Sequence, residues 1–266
     1  MTDIELRNGF FELQKEYTPF KDFLIENQFK ELYKDFRGFD ASPSKLIFQP
    51  KVLFLGYNPT GSKDWQLLEH HPHLPLEPHL NEERLMFFQW NSARKGADWF
   101  QLDKQPNNSL PRQIVDLLYN LVSLCHPERN NEKGTNKEPY WSKEFENQMM
   151  FLNLYPIATK DGKTMVSLFK KICKEDSFTK KFKNEWQLRM FFIGIMHRMI
   201  KLIDPNLIIC MGAQTFHDYT YSIRQKHSIK EIFTSPKYDN IIGFSRKGSW
   251  EGNIPNLAQE IYKRAF

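Results

Sequence analysis

Apolar residues recur three or four positions apart through the first 36 residues, at Ile4, Phe10, Phe11 and Leu13 and then at Phe20, Phe23, Leu24, Phe29, Leu32, Tyr33 and Phe36. That spacing lines one face of a helix, so it predicts two amphipathic helices. Thr18-Pro19 divides them, in the order of an N-cap followed by proline at the first helical position. The pattern then changes. Lys51-Val-Leu-Phe-Leu-Gly56, Met149-Met-Phe-Leu-Asn-Leu-Tyr155 and Asn206-Leu-Ile-Ile-Cys-Met211 are short, nearly continuous apolar runs that end at glycine or proline. Such runs predict strands buried on both faces.

Helical spacing returns at residues 83–100, 111–125, 185–203, 213–223 and 254–266, and a basic helical region reaches residue 183. Asp204-Pro205 stops the helix at residues 185–203, and residues 229–234 and 240–244 predict a further pair of strands. Residues 57–82 hold Pro59, Pro72, Pro75 and Pro78, too many breakers for a regular element, and residues 126–140 form a polar insertion. Strands alternating with helices predict an α/β fold with a parallel sheet covered on both faces. With no repeat and no clear linker, the expectation is one domain over residues 1–266, of which 1–44 are a helical N-terminal extension.

Composition narrows the class of protein. A hydrophobic content of 40% over 266 residues is enough for a core, which excludes a disordered chain. The net charge of +5 is unevenly spread. Residues 1–159 carry 18 basic and 22 acidic residues, net −4, and residues 160–266 carry 19 and 10, net +9. The second part therefore asks for an anionic partner. Cys125, Cys173 and Cys210 are too widely spaced for a zinc ribbon, an iron–sulfur site or a disulfide framework. The opening Met1-Thr-Asp-Ile-Glu-Leu lacks the basic start of a signal peptide, and the longest apolar run is too short to span a bilayer. A cytoplasmic protein without a membrane partner is expected.

Chemistry gathers at the strand ends. Gly56-Tyr57-Asn58-Pro59-Thr60-Gly61-Ser62 leaves the first strand at the edge where open parallel sheets bind ligands. Glycine lets backbone approach a ligand, proline stiffens the loop, and asparagine offers a donor and an acceptor that never ionise. It is not a phosphate-binding loop, because Ser62-Lys63 reverses the required order. Asn153 interrupts the second apolar run, where its amide needs a specific hydrogen bond, either to anchor loops or to face a ligand. Gly243-Phe-Ser-Arg-Lys-Gly-Ser249-Trp250 combines hydroxyls, cations and an aromatic ring, a mixture suited to phosphate contact and base stacking.

In this order the stretches Gly56-Tyr-Asn-Pro59, Phe151-Leu-Asn-Leu154, Leu207-Ile-Ile-Cys-Met-Gly-Ala213 and Phe244 to Ser249 resemble the motifs of the uracil-DNA glycosylase superfamily, over roughly residues 45 to 266. The Gly-x-Asn-Pro form is most similar to its mismatch-specific and single-strand-selective branches. The resemblance implies a three-layer α/β/α sandwich around a central four-stranded parallel sheet, preceded by the N-terminal helices. It implies a monomer that extrudes a uracil or related deaminated base from DNA and hydrolyses the N-glycosidic bond without cofactor or metal. By the same analogy Asn58 positions the water, and Asn153 reads the base edge with its amide. Gly56, Tyr57 and Pro59 shape the base pocket, and Tyr57, Trp65 or Phe88 supplies an aromatic floor. Ser245, Arg246, Lys247 and Ser249 contact the DNA.

The last motif departs from the family. Phe244-Ser245-Arg246 stands where many members carry His-Pro-Ser, and losing a donor to the developing anion costs about 3 kcal/mol of transition-state stabilisation. Either Arg246 or Ser245 takes over, the activity is weak, or the chain is a non-catalytic nucleic-acid or nucleotide-binding module. A small-molecule hydrolase or transferase using the same sheet edge is a third reading. His70, His71, His73 and His79 have no helical spacing and no accompanying cysteine, so no metal site is expected. His217 has no visible partner. The lysines at 170, 171, 174, 180, 181 and 183 read as a solvated helical face that adds non-specific attraction for DNA.

Overall fold

The computed structural model describes residues 1–26, 47–57, 109–128, 148–157, 159, 161–174, 181–223, 231–245 and 253–266. The chain divides into two compact units, each assembled from separate segments. One contains Met1–Ala41, Gly56–Trp90 and Leu152–Ile203, and the other Ser42–Leu55, Asn91–Phe151 and Asp204–Phe266. The fold is α/β, and its sheet is mixed.

Most of the sheet belongs to the second unit, while Gly56, Leu152 and Asn153 at two strand ends belong to the first. The strands are β1 (Val52–Gly56), β2 (Met149–Asn153), β3 (Leu207–Met211), β4 (Ile232–Thr234) and β5 (Ile241–Phe244), in the order β2-β1-β3-β5-β4. Every residue of β1, β2, β3 and β5 is buried, as expected of strands without a solvent face. β1 and β5 each pair with β3 in parallel, with Leu55 opposite Cys210 and Cys210 opposite Gly243. β4 pairs antiparallel with β5, so the expected four-stranded, wholly parallel sheet is corrected to a mixed sheet of five strands. The reason is the link. Residues 235–240 are too few for the crossover of about a dozen residues that a parallel neighbour needs, so the chain turns back.

Helices α2 (Ser109–Cys125) and α6 (Ile254–Ala265) pack on each other. Ile114, Leu117, Leu118, Leu121 and Val122 form the buried stripe of α2, and Ile254, Leu257, Ala258, Ile261 and Ala265 that of α6. Helix α5 (Ala213–Thr220) starts at Gly212, whose φ of 119° favours glycine, and ends at Tyr221 in the left-handed conformation. A Cβ on Gly243 of β5 would overlap the Phe233 ring and stand 2.9 Å from Phe216 Cδ2. Glycine at this position lets those two rings meet edge to face, with centroids 4.8 Å apart.

Among the described residues the first unit contains the helices α1 (Asp3–Glu26), α3 (Gly162–Ile172) and α4 (Glu185–Ile203). α1 is continuous through Thr18-Pro19, which corrects the expectation of two helices divided there. Leu6, Phe10, Leu13, Tyr17, Phe20 and Phe23 make one buried stripe across the proline, whereas Ile4 is exposed. Pro19 has no N–H for the Lys15 carbonyl, yet the stripe packs along α4 and holds the helix together. Phe20 meets Phe192 edge to face at 5.0 Å. Glu16 takes Arg198 in a two-pronged ion pair at 2.5 and 2.6 Å. α3 also packs on α4, and Asp161 caps α3 by accepting hydrogen bonds from the Thr164 N–H and hydroxyl.

Candidate functional site

Leu55, Cys210 and Gly243 lie in one register row. From that row the chain continues into Gly56-Tyr57, Met211-Gly212 and Phe244-Ser245, the three places where the sequence concentrates glycine, aromatic and polar residues. In open α/β sheets the carboxyl ends of parallel strands are the usual binding edge. Ser245 directly follows β5 and is buried, at 7% exposure. Asn58, Pro59, Arg246, Lys247 and Ser249 lie outside the described residues, as do Trp65, Phe88 and the His70, His71, His73 and His79 loop.

The described part of the site belongs to the first unit, where the ends of β1 and β2 are fastened together. The Leu154 N–H donates to the Gly56 carbonyl at 2.8 Å, and the Tyr155 N–H donates to the Tyr57 carbonyl at 3.0 Å. The Tyr57 and Tyr155 rings meet edge to face, with centroids 4.9 Å apart. Gly56 and Tyr57, from the first motif, are therefore held beside the segment that follows Asn153. Asn153 is buried, at 7% exposure. A buried amide costs free energy unless it is paired, so Asn153 needs a hydrogen-bond partner, whether protein or ligand.

Behind the tyrosines stands a residue that the sequence pattern did not single out. Arg189 of α4 is only 5% exposed, and its Nε–H donates to the Tyr155 hydroxyl at 3.1 Å. The guanidinium also lies 4.8 Å from the Trp186 ring centroid and 6.0 Å from that of Tyr155. Phe169 of α3 meets Tyr155 edge to face at 5.9 Å. Trp186, Arg189, Tyr155 and Tyr57 thus form a line of contacts ending at the residue before Asn58. One signal for it exists in the sequence. Arg189 lies on the apolar stripe of α4 between Leu188 and Phe192, where a cation is expensive unless it is paired.

Other nucleophiles and titratable groups are quiet. Burial, with a smaller contribution from Glu185, pushes the Cys173 thiol up to about 11, and burial alone pushes the Cys210 thiol far above its usual range. Neither is a thiolate near neutral pH. His217, for which the sequence shows no partner, has one in the structure: its Nδ1 is 2.7 Å from the Ser222 hydroxyl, which in turn is 2.9 Å from that of Thr220. The Ser222 N–H donates to the His217 carbonyl, so this cluster closes the end of α5. Among the described residues no three His, Cys, Asp or Glu side chains gather as a metal site, and no helix is long and apolar enough to cross a membrane.

Comparison with protein-family models, with curated proteins and with solved structures finds no match. What the fold and the strand ends define is a class: an α/β protein with a mixed five-stranded sheet, whose β1 and β2 ends carry a glycine, two tyrosines in edge-to-face contact and a buried asparagine.

Proposed function

We propose that the protein is a DNA glycosylase-like hydrolase that removes uracil or a related deaminated base from DNA. The observation that carries the reading is the fastening of Gly56-Tyr57, the start of the first motif, to Leu154-Tyr155, just past the end of the Asn153 strand. β2 follows β1 in the same direction, since Val52 bonds to Gln148 at one end and Leu154 to Gly56 at the other. On this reading β2, β1, β3 and β5 are the four parallel strands of an α/β/α sandwich, and β4 is an antiparallel addition at its edge.

In the proposed reaction the base leaves the stack and enters a pocket bordered by Tyr57. The Asn153 amide pairs with the imide edge of uracil, which also presents one donor and one acceptor. As the glycosidic bond breaks, its electron pair goes to the ring nitrogen of the departing base, and the sugar becomes an oxocarbenium ion. Water held by Asn58 attacks that carbon and gives up a proton to solvent. Pro59 stiffens the water-holding loop, and Ser245, Arg246, Lys247 and Ser249 meet the strand. Neither metal nor cofactor enters the scheme, and the enzyme acts as a cytoplasmic monomer.

The test is direct. Purified protein is incubated with single- and double-stranded oligonucleotides containing uracil, and abasic sites are cut with alkali. Strand breaks at uracil are expected, and Asn58→Ala should remove most of them while leaving the fold intact. No abasic product from uracil, hypoxanthine or xanthine substrates would end the catalytic reading. The presence of Phe244-Ser245-Arg246 where the family commonly carries His-Pro-Ser favours a second reading, a nucleic-acid-binding module that does not cut. Its signature is salt-dependent DNA binding with no base release.

A further inference from the structure

The described helix that follows the Asn153 strand presents an unusual face to solvent. In α3 and its C-terminal turn the exposed residues are Lys163, Thr164, Ser167, Lys170, Lys171 and Lys174, while Met165, Phe169, Ile172 and Cys173 point inward. Lys163, Ser167, Lys170 and Lys174 recur at four, three and four positions, so they form one row along the helix. From Gly162 to Lys174 there is no acidic residue. Among the described residues Lys163, Lys170 and Lys174 have no ion-pair partner. Of the acidic residues that flank the helix in sequence, Asp161 accepts the capping hydrogen bonds of Thr164, and Glu175 and Asp176 follow it.

Helix stability does not explain this row. Lys170 and Lys171 in the last turn suit the negative end of the helix dipole, but Lys163 stands in the first turn, at the end that repels cations. Lys170 and Lys174 also repel each other at four-residue spacing, and no glutamate sits between the lysines to offset this. A face of ammonium groups and a hydroxyl, without carboxylates, complements a regular series of anionic oxygens.

We propose that this face of α3 is a docking surface for the phosphate backbone of DNA, with Lys163, Lys170 and Lys174 each meeting a phosphate. The choice of DNA as occupant rests on the glycosylase reading, and it moves the main phosphate contacts of this protein to the helix that begins nine residues after Asn153. These contacts carry no sequence information, so binding through them is general and strongly dependent on salt.

The experiment compares the wild-type chain with Lys163→Gln/Lys170→Gln/Lys174→Gln and with a control that removes the same charge from other exposed positions, Lys201→Gln/Lys237→Gln/Lys263→Gln. Affinity for a duplex without uracil is measured between 50 and 200 mM salt. Three lost phosphate contacts flatten the slope of log affinity against log salt by about 2.7, so wild type should lose about 40-fold more affinity across that range than the α3 variant. The control should keep the wild-type slope. Equal slopes in all three proteins, or equal flattening in the variant and the control, overturn the proposal. So does a variant that loses binding to vesicles of anionic lipid while keeping its DNA slope. Uracil release is scored in parallel on the same proteins. Flattened binding without any base release sinks the enzyme and keeps the surface, and base release with an unflattened slope does the reverse.

Discussion

Tyr155→Phe removes a single oxygen from the line that supports the strand ends. The phenol ring, with its edge contacts to Tyr57 at 4.9 Å and Phe169 at 5.9 Å, stays in place. What is lost is the acceptor for the Arg189 Nε–H at 3.1 Å, on a guanidinium only 5% exposed. A hydrogen bond to a charged group contributes about 1.5–3 kcal/mol, and a buried donor left short of an acceptor incurs its desolvation cost without compensation. The expected loss is therefore about 2 kcal/mol, which lowers Tm by about 4–8 °C in a chain of this size. Tyr155→Leu also gives up two aromatic pairs, each contributing about 0.5–1.5 kcal/mol beyond area, so it should cost about twice as much. Thermal unfolding followed by circular dichroism, with Arg189→Met and the double variant completing a mutant cycle, measures the coupling directly. Losses of Tyr155→Phe and Arg189→Met that simply add would refute the reasoning, because independent residues do not support one another.

The remaining predictions concern elements around the site. Pro19→Ala should raise Tm, because it returns an N–H to the Lys15 carbonyl within a helix that is already continuous; a lowered Tm would show that the proline shapes α1. Gly243→Ala should destabilise by about 1–3 kcal/mol in the same melts, since the new methyl group must displace the rings of Phe233 and Phe216; an unchanged melting curve would contradict that packing. For Cys173 the folded state holds its proton more tightly than the unfolded chain, whose thiol titrates near 9.0, so this contribution is complete below pH 9 and fades as pH rises towards 11. Cys173→Ser should lessen the fall in stability over that interval, and an identical pH profile would remove the thiol as its cause.

The two kinds of information divide at sequence distance. Local pattern alone locates most of the elements: the apolar runs at 52–56, 149–153 and 207–211 are strands, and the helix expected at residues 185–203 is α4 to the residue. Even the direction of β4 is implicit in the short link 235–240, although a rule of alternating strands and helices points to a purely parallel sheet. Among the candidate residues, Gly56 and Asn153 stand out in the sequence because glycine and asparagine are out of place in buried strands.

Two features depended on contacts that no local window contains. α1 survives Pro19 because its stripe of six apolar side chains is buried, a gain that the helix propensity of residues 15–20 does not include. Arg189 and Tyr155 are 34 positions apart, and neither spacing nor composition says which hydroxyl a cation on an apolar stripe will find. Burial makes the cation need a partner, and the tertiary approach of α4 to the segment that follows β2 decides which one it gets.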